Sequence, residues 1–340
     1  MNNGGLQTQK SRISRVLALL RRHIAALGYV GGVILPIILK TGRRPVIFSR
    51  ELGLGDIICT IPAARELMKR HPGATFIYNC YADFAAVPKL GGIADLVTSL
   101  REVTLIGYWY RFLLAGYYDF SNGDPLVVRT TIKDFCQQFD VPIHEDHPHL
   151  QADSASRARA EEILSARDVG TESLILFHPG PTMPVKEWPR ESWTKLVALL
   201  HERGFHNIAQ LGVAKYPVFG AVAIEPIPGA VSLINALSVE EMMGAISLAR
   251  LYIGIDSGPL HIAAALGIHS VGIFGATLPP HLFVEAANRA FVVSQVECRG
   301  CGHYNATTPY TTDCPYHIRC MQTVGAEEVL SACLAQLGTA

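Results

Sequence analysis

Short apolar runs alternate with amphipathic stretches along the first half of the chain. Three apolar runs of four to six residues have the composition of buried strands, and two stretches with helical periodicity separate them. The strands are predicted at Val46–Ser49, Thr75–Cys80 and Leu96–Leu100, and the helices at Ile57–Arg70 and Asp83–Leu90. This alternation predicts a mostly parallel sheet with helices on both faces.

A second series of the same kind follows a polar stretch. Residues 141–153 carry three histidines and two prolines, which is typical of a connection between domains. Beyond it, strands are predicted at Leu174–His178, Asn207–Leu211, Leu251–Asp256 and Ser270–Phe274, and helices at Glu191–Arg203, Val239–Ala249 and Leu260–Leu266. The predicted fold class is therefore α/β, with two doubly wound domains whose strand ends face a shared cleft.

Residues 1–45 form a basic and apolar segment before the first strand. Its most apolar part, Ile24–Leu39, runs 16 residues without a charge but contains three glycines and Pro36. Because a membrane-spanning helix needs about 20 apolar residues, this part is expected to be too short and too interrupted to cross a bilayer. Basic residues and a strand follow directly, which argues against a cleaved signal peptide and favours a cytoplasmic location.

Apolar residues at helical spacing, with arginines between them, run from Ile13 to Leu27. This pattern is typical of a basic helix lying in an anionic membrane surface, here the inner membrane contacted through residues 10–40. An additional helix packed on the first domain has the same pattern, so both interpretations stay open.

The composition excludes several classes of function. The 340 residues include 29 lysines and arginines and 29 aspartates and glutamates, so the formal net charge is zero. No nucleic acid is expected as a partner, since such proteins carry a basic surface. The charge is uneven, however: residues 1–45 hold eight basic and no acidic residues, and the remaining chain holds 21 basic and 29 acidic ones.

The first candidate loop, Ser49–Asp56, directly follows the first predicted strand. Gly53 and Gly55 let the backbone approach a ligand, and the start of the following helix offers N–H groups to an anion. The loop lacks the lysine of a Walker motif and the three glycines of a dinucleotide fingerprint. Taken alone, it also fits a tight turn with Asp56 as the N-cap of the helix.

The second candidate loop begins at His178 and includes Pro179 and Gly180. Lys186 follows a few residues later and can hold a phosphate as a compact cation. The alternative is a surface lysine beside a structural tryptophan, Trp188.

The third candidate loop is Asp256-Ser257-Gly258-Pro259, between a buried strand and a helix of small residues. Asp256 or Ser257 is expected to cap that helix, and Pro259 suits its first turn. The helix N-terminus then faces an anion such as a diphosphate. His261 either contacts that anion or is a buried histidine with its own partners.

In this order, the three loops resemble the bacterial heptosyltransferases of glycosyltransferase family 9, over about Val46 to Ala276. The matching letters are Gly-Leu-Gly-Asp, then His-Pro-Gly with Lys-x-Trp-Pro, then Asp-Ser-Gly-Pro-x-His. The resemblance implies a GT-B fold of two Rossmann-like domains. It places an acceptor-binding domain at 46–150, a nucleotide-sugar-binding domain at 151–325, and a carboxyl-terminal helix at 326–340 that crosses back to the first domain.

The resemblance also implies an inverting transfer from a nucleotide-sugar, ADP-heptose in the best-known members, to an acceptor hydroxyl. Asp56 matches the catalytic aspartate and would be the general base, with Gly53 and Gly55 in its loop. Because Lys186 and the helix N-terminus at Gly258 supply positive charge, no catalytic divalent metal is expected. The implied donor-binding residues are His178, Pro179, Gly180, Thr182, Lys186, Trp188, Asp256, Ser257, Gly258, Pro259 and His261.

A cysteine module follows the last predicted strand. Its spacing, C-x2-C-x12-C-x5-C, predicts a structural zinc or iron site, since closely spaced thiolates satisfy a tetrahedral metal, with disulfides or free thiols as the alternatives. The module consists of Cys298, Cys301, Cys314 and Cys320. It resembles the iron finger of autotransporter heptosyltransferases. The other cysteines stand at apolar positions and are expected in the core: Cys59, Cys80, Cys136 and Cys333.

Two kinds of acceptor stay open. The basic apolar segment favours a lipid-linked acceptor such as the lipopolysaccharide core, and the cysteine module favours a surface protein. The alternative to an enzyme is a non-catalytic GT-B protein that binds a nucleotide-sugar or assembles with others. A homo-oligomer is also open.

Overall fold

A computed structural model describes residues 4–120, 132–145, 147–180, 184–216, 220–221, 224–301 and 314–338. Thr182, which was predicted to bind the donor, lies outside these residues.

The first domain is built on a parallel sheet of four strands. The strands are β1 (Val46–Ser49), β2 (Phe76–Asn79), β3 (Leu96–Thr98) and β4 (Gly116–Asp119), in the spatial order β3-β2-β1-β4. All three predicted strands are confirmed within two residues at each end. β4 was not predicted, because this edge strand is only partly buried and shows no clear apolar run.

The second domain is built on a parallel sheet of six strands. These are β5 (Ile175–His178), β6 (Ile208–Gly212), β9 (Val231–Ile234), β10 (Leu251–Ile255), β11 (Ser270–Phe274) and β12 (Arg289–Val293), in the order β12-β11-β10-β5-β6-β9. The short strands β7 (Lys215–Tyr216) and β8 (Gly220–Ala221) pair with each other. The prediction that Ser270–Phe274 is the last strand is wrong, because the half-buried edge strand β12 follows it.

Helices follow the strands in both domains. Those of the first domain are α3 (Leu54–Lys69), α4 (Ala86–Leu90), α5 (Val103–Trp109) and α6 (Ile132–Gln138). Those of the second are α7 (Ser154–Ser165), α8 (Arg190–Glu202), α9 (Val239–Leu248), α10 (Gly258–Ala265) and α11 (Arg319–Gln322). The largest apolar core contains residues of both domains, including Ile57 of α3 and Ile262 of α10. The cleft-facing helices α3 and α10 therefore pack against each other.

The last helix, α12 (Ala326–Leu337), packs on the second domain. Its apolar face, which includes Val329, Leu330 and Cys333, is buried against α8 and the strands β10 to β12. A hydrogen bond also holds α12 on the second domain, since the Arg250 guanidinium donates to the carbonyl of Leu337. The expectation that this helix crosses back to the first domain is wrong, because its apolar face covers the second sheet.

The amino-terminal segment is one continuous helix. It consists of α1 (Gly4–Tyr29), a π-helical turn (Val30–Ile34) and α2 (Leu35–Thr41). The expectation that glycines and Pro36 interrupt it is wrong: two of the three glycines lie in the π-turn, and Pro36 stands at the start of α2, where a proline is tolerated. By length and composition alone, the 26 residues Val16–Thr41 are sufficient to cross a membrane.

Candidate active site

Three neighbouring strands of the second sheet, β5, β10 and β11, end at the same edge and bring their loops together. Asp256, which follows β10, is buried at the centre of these loops. Its Oδ2 atom lies 2.6 Å from Lys186 Nζ and accepts a hydrogen bond of 2.8 Å from Thr277 Oγ1. Its Oδ1 atom lies 3.6 Å from His261 Nε2 on α10. Lys186 and His261, which were predicted to bind the donor, therefore both lie close to Asp256, a third predicted donor-binding residue.

The electrostatics of this cluster set two basic groups against one buried carboxylate. Burial alone would raise the pKa of Asp256, but the Lys186 ammonium and His261 outweigh it and hold that pKa well below its usual range. Burial alone would lower the pKa of His261, but the Cys59 sulfur and the Asp256 carboxylate raise it to about 10. Near neutral pH, the Lys186 ammonium and protonated His261 therefore both lie against Asp256, and their positive charge favours an anionic ligand beside them.

The amino-terminal end of α10 adds to this positive potential. Ser257 is its N-cap residue, as predicted, but its side chain makes no capping hydrogen bond. The Ser257 hydroxyl instead lies 3.3 Å from Nδ1 of His178, whose pKa burial lowers to about 4. A neutral His178 therefore fixes the Ser257 side chain, while the dipole of α10 points at the loop.

Asp56 stands in the first turn of α3, across the cleft. The N-cap of α3 is Gly53, so the alternative in which Asp56 caps the helix is wrong. Asp56 Oδ1 accepts a hydrogen bond of 2.9 Å from Arg50, a buried arginine that also lies over the ring of Phe135. The Asp56 side chain keeps 23% of its surface exposed. Arg50 therefore orients a carboxylate that remains open to a ligand.

Two glycines allow the loops of the two domains to touch. A Cβ atom on Gly55 would lie 2.7 Å from His261 Cδ2, and one on Gly258 would lie 2.7 Å from Leu54 Cβ. Cys59 Sγ on α3 also lies 3.8 Å from His261 Nδ1. Because Asp56 is the neighbour of Gly55, the loop that carries this carboxylate touches the second domain at His261, at the junction of the two domains.

The remaining predicted residues divide into two groups. Pro179, Gly180 and Pro259 lie in the converging loops, and Gly180 has the left-handed φ of 99° that favours glycine. Trp188 does not lie at the junction: it is buried in the core, and its indole N–H donates to the carbonyl of Val324. Its assignment to the donor site is therefore wrong, and the alternative of a structural tryptophan is confirmed.

Four side chains at this junction were not predicted: Arg50, Cys59, Thr277 and Phe283. The ring of Phe283 stacks on His261 at a centroid distance of 4.5 Å. Arg50 was visible in the first loop, but its pairing with Asp56 depends on how the chain turns after β1. The other three come from elements that only the folded structure places beside His261.

Three cysteines of the module lie close enough to the fourth, Cys320, to affect its pKa. Cys320 is buried, and its pKa is raised to about 11, first by burial and then by the neighbouring Cys298, Cys301 and Cys314. Within the described ranges, no group of three His, Cys, Asp or Glu side chains is arranged to hold a metal, so the predicted site is not confirmed. The prediction for the scattered cysteines is confirmed, because Cys59, Cys80, Cys136 and Cys333 are all buried.

Comparison with known proteins identifies the class of this molecule. Residues 111–310 match the family model of glycosyltransferase family 9 (heptosyltransferase). Since this match covers more than half of the chain, the protein belongs to glycosyltransferase family 9 and is a glycosyltransferase.

A curated relative and two solved structures extend the likeness. The chain is 24% identical over 312 residues to lipopolysaccharide heptosyltransferase 1 of Pseudomonas aeruginosa, covering 75% of this chain and 85% of that protein. A family 9 glycosyl transferase from Veillonella parvula superposes with a TM-score of 0.63 at 14% identity, over 87% of this chain and 98% of that one.

The second structure is the iron-containing dodecameric glycosyltransferase TibC from enterotoxigenic E. coli, with a TM-score of 0.64 at 17% identity, over 87% of this chain and 79% of that one. TibC is also known in complex with ADP-D-beta-D-heptose. These structures share the two-domain α/β architecture described above, so the predicted GT-B fold is confirmed.

Proposed function

We propose that this protein transfers heptose from ADP-heptose to an acceptor hydroxyl with inversion at the anomeric carbon. The observation that carries the proposal is the junction of the two domains, where the loop that carries Asp56 touches His261 through Gly55. Lys186 and His261 both lie against Asp256 there. The choice of donor is supported by the relative named for heptose transfer and by the ADP-heptose complex of TibC.

The proposed chemistry assigns one task to each side of the junction. Asp56 accepts the proton of the acceptor hydroxyl while the hydroxyl oxygen forms a bond to the anomeric carbon. The bond from that carbon to the diphosphate oxygen breaks on the opposite face, and ADP leaves with additional negative charge. Lys186, protonated His261 and the N-terminus of α10 stabilise this charge without reorganising. The residues present therefore supply the positive charge of the proposed reaction.

For the acceptor, we propose a lipid-linked sugar of the lipopolysaccharide core. The name of the Pseudomonas relative supports this choice. A protein acceptor is the second candidate, and the specific observation in its favour is the clustered cysteine module together with the fold shared with iron-containing TibC. We also propose a cytoplasmic location, because no disulfide joins any of the described cysteines and the cytosol keeps thiols reduced.

A donor panel tests the proposed function. ADP-heptose should raise the melting temperature of the protein, whereas UDP- and GDP-sugars at equal concentration should not, because a ligand that binds only the folded state stabilises it. ADP release should then require a core acceptor, measured with lipopolysaccharide core truncated before heptose. Stabilisation by a UDP-sugar alone would contradict the donor assignment, and ADP release only with a protein acceptor would favour the second candidate.

The cysteine module carries a separate proposal, a structural zinc or iron ion. Soft thiolates suit these metals, and the proposal is supported by the effect of Cys298, Cys301 and Cys314 on the pKa of Cys320. We expect about one zinc or iron per chain in protein purified under reducing conditions, and loss of the metal in Cys314→Ser. Cys136→Ser, in the core of the first domain, is the matched control and should keep the metal. Four titratable thiols with no metal by elemental analysis would contradict the proposal.

A further inference from the structure

The amino-terminal helix leaves a long apolar face without a partner among the described residues. Eight large apolar side chains of this helix are at least 41% exposed. They are Val16, Leu17, Leu19, Leu20, Ile24, Leu27, Leu35 and Leu39. Soluble monomers rarely expose contiguous apolar surface of this extent, so such a face indicates an interaction site.

The part of the same helix at residues 26–34 is fixed to the protein. Ala26, Val30 and Ile34 recur every four residues and are buried against the first domain. They pack on the strand residues Ile47 and Ile77 and on residues of α5. If this helix crossed a bilayer, these side chains would have to leave the domain core. The helix is therefore long enough to span a membrane, but the packing of residues 26–34 holds that part along the surface of the first domain.

Exposed aromatic residues lie next to the helix. Tyr108 and Trp109 at the end of α5, and Phe112 just after it, are among the most exposed large apolar residues of the described chain. The ring of Trp109 lies 6.1 Å from that of His23 in α1, and the carbonyl of Phe112 accepts a hydrogen bond from Arg44 after α2. Aromatic side chains of this kind are enriched where proteins meet the polar headgroups of a bilayer.

The exposed charges beside this apolar surface are basic and indicate an anionic partner. Arg21, Arg22, Lys40 and Arg44 are exposed, and the sequence from 1 to 45 contains no acidic residue. A second copy docked symmetrically through this surface would bring two basic segments together, which is unfavourable. An anionic lipid surface instead attracts each basic residue near it.

We propose that the exposed face of the amino-terminal helix and the aromatic residues Tyr108, Trp109 and Phe112 form one docking surface for an anionic lipid bilayer. The helix lies in the interfacial layer, parallel to the membrane plane, with its apolar side chains in the acyl region and its arginines at the headgroups. The first domain is thereby held at the membrane.

The fluorescence of Trp109 provides a direct test in the unmodified protein. The chain has three tryptophans, and Trp188 and Trp193 are buried in the second domain, whereas Trp109 is 59% exposed. Vesicles of phosphatidylcholine and phosphatidylglycerol should shift the emission to shorter wavelength and protect it from iodide. Vesicles of phosphatidylcholine alone should have little effect. Trp109→Phe should abolish the response, which assigns it to this residue.

Variants then test the two parts of the surface separately. Arg21→Gln combined with Arg22→Gln should weaken partitioning onto anionic vesicles by about 10- to 30-fold, and high salt should do the same. Trp109→Ala combined with Phe112→Ala should also weaken it, whereas the exposed apolar control Ile143→Ser should not. The proposal is overturned if the full-length protein ignores anionic vesicles at low salt. It is also overturned if these substitutions instead dissociate a homo-oligomer in analytical ultracentrifugation.

Discussion

Asp56→Asn is expected to lower kcat by about 10²- to 10⁴-fold, the usual contribution of a positioned general base. The amide has the size of the carboxylate and can still accept the hydrogen bond from Arg50, but it takes up no proton at neutral pH. Affinity for ADP should stay near that of the wild type, because Lys186, Asp256 and His261 belong to the other domain. Steady-state ADP release and calorimetric titration with ADP measure the two quantities.

The matched control for this substitution is Asp83→Asn. Asp83 is an exposed carboxylate of the same domain, in the short turn after β2, so its loss should leave kcat unchanged. Near wild-type turnover in Asp56→Asn, with an unchanged melting temperature, would show that a group other than Asp56 accepts the proton of the acceptor hydroxyl. A loss of both turnover and ADP affinity would mean that Asp56 holds the junction together rather than acting as a base.

The buried strands were predictable because every position in them is apolar or small. β1 and β11 have the predicted bounds, and all their residues are buried. The strands β4, β9 and β12 lie at sheet edges and are only partly buried. β4 and β9 lack the continuous apolar run on which the prediction depends, whereas β12 contains a run at residues 290–293 that the prediction missed. In the amino-terminal helix the error is the opposite one, because an interruption was predicted and the helix is continuous. Two of the glycines that predicted the interruption lie in a π-turn, which continues the helix.

The candidate site was predictable only where the residues lie at the end of a strand. The loops at Asp56, His178 and Asp256 follow buried strands and contain glycines or prolines, so their sequences mark the edge of a sheet. The contact of Thr277 with Asp256 depends on the order of β5, β10 and β11, which one sequence does not reveal. Trp188 was misassigned for a related reason: closeness to Lys186 in sequence does not indicate that both side chains face the cleft.

Lys186→Ala is expected to weaken the binding of ADP by about 1–3 kcal/mol, roughly 5- to 150-fold in Kd. In the proposed function the Lys186 ammonium contacts the diphosphate directly, and its loss leaves His261 as the principal cation beside Asp256. The same substitution breaks a buried ion pair, so the free energy of unfolding should also fall, by about 3–5 kcal/mol. Calorimetric titration with ADP and denaturant unfolding of the ligand-free protein measure these two effects independently.

Lys195→Ala is the matched control for the loss of positive charge in this domain. Lys195 forms an ion pair with Glu327, and both side chains are exposed, so water screens the pair and neither ADP affinity nor stability should change appreciably. Lys186→Arg should restore the charge while changing its geometry, and should therefore recover part of the ADP affinity. If Lys186→Ala lowers stability but binds ADP as tightly as the wild type, Lys186 serves only to neutralise Asp256, and the diphosphate must be held by His261 and the N-terminus of α10.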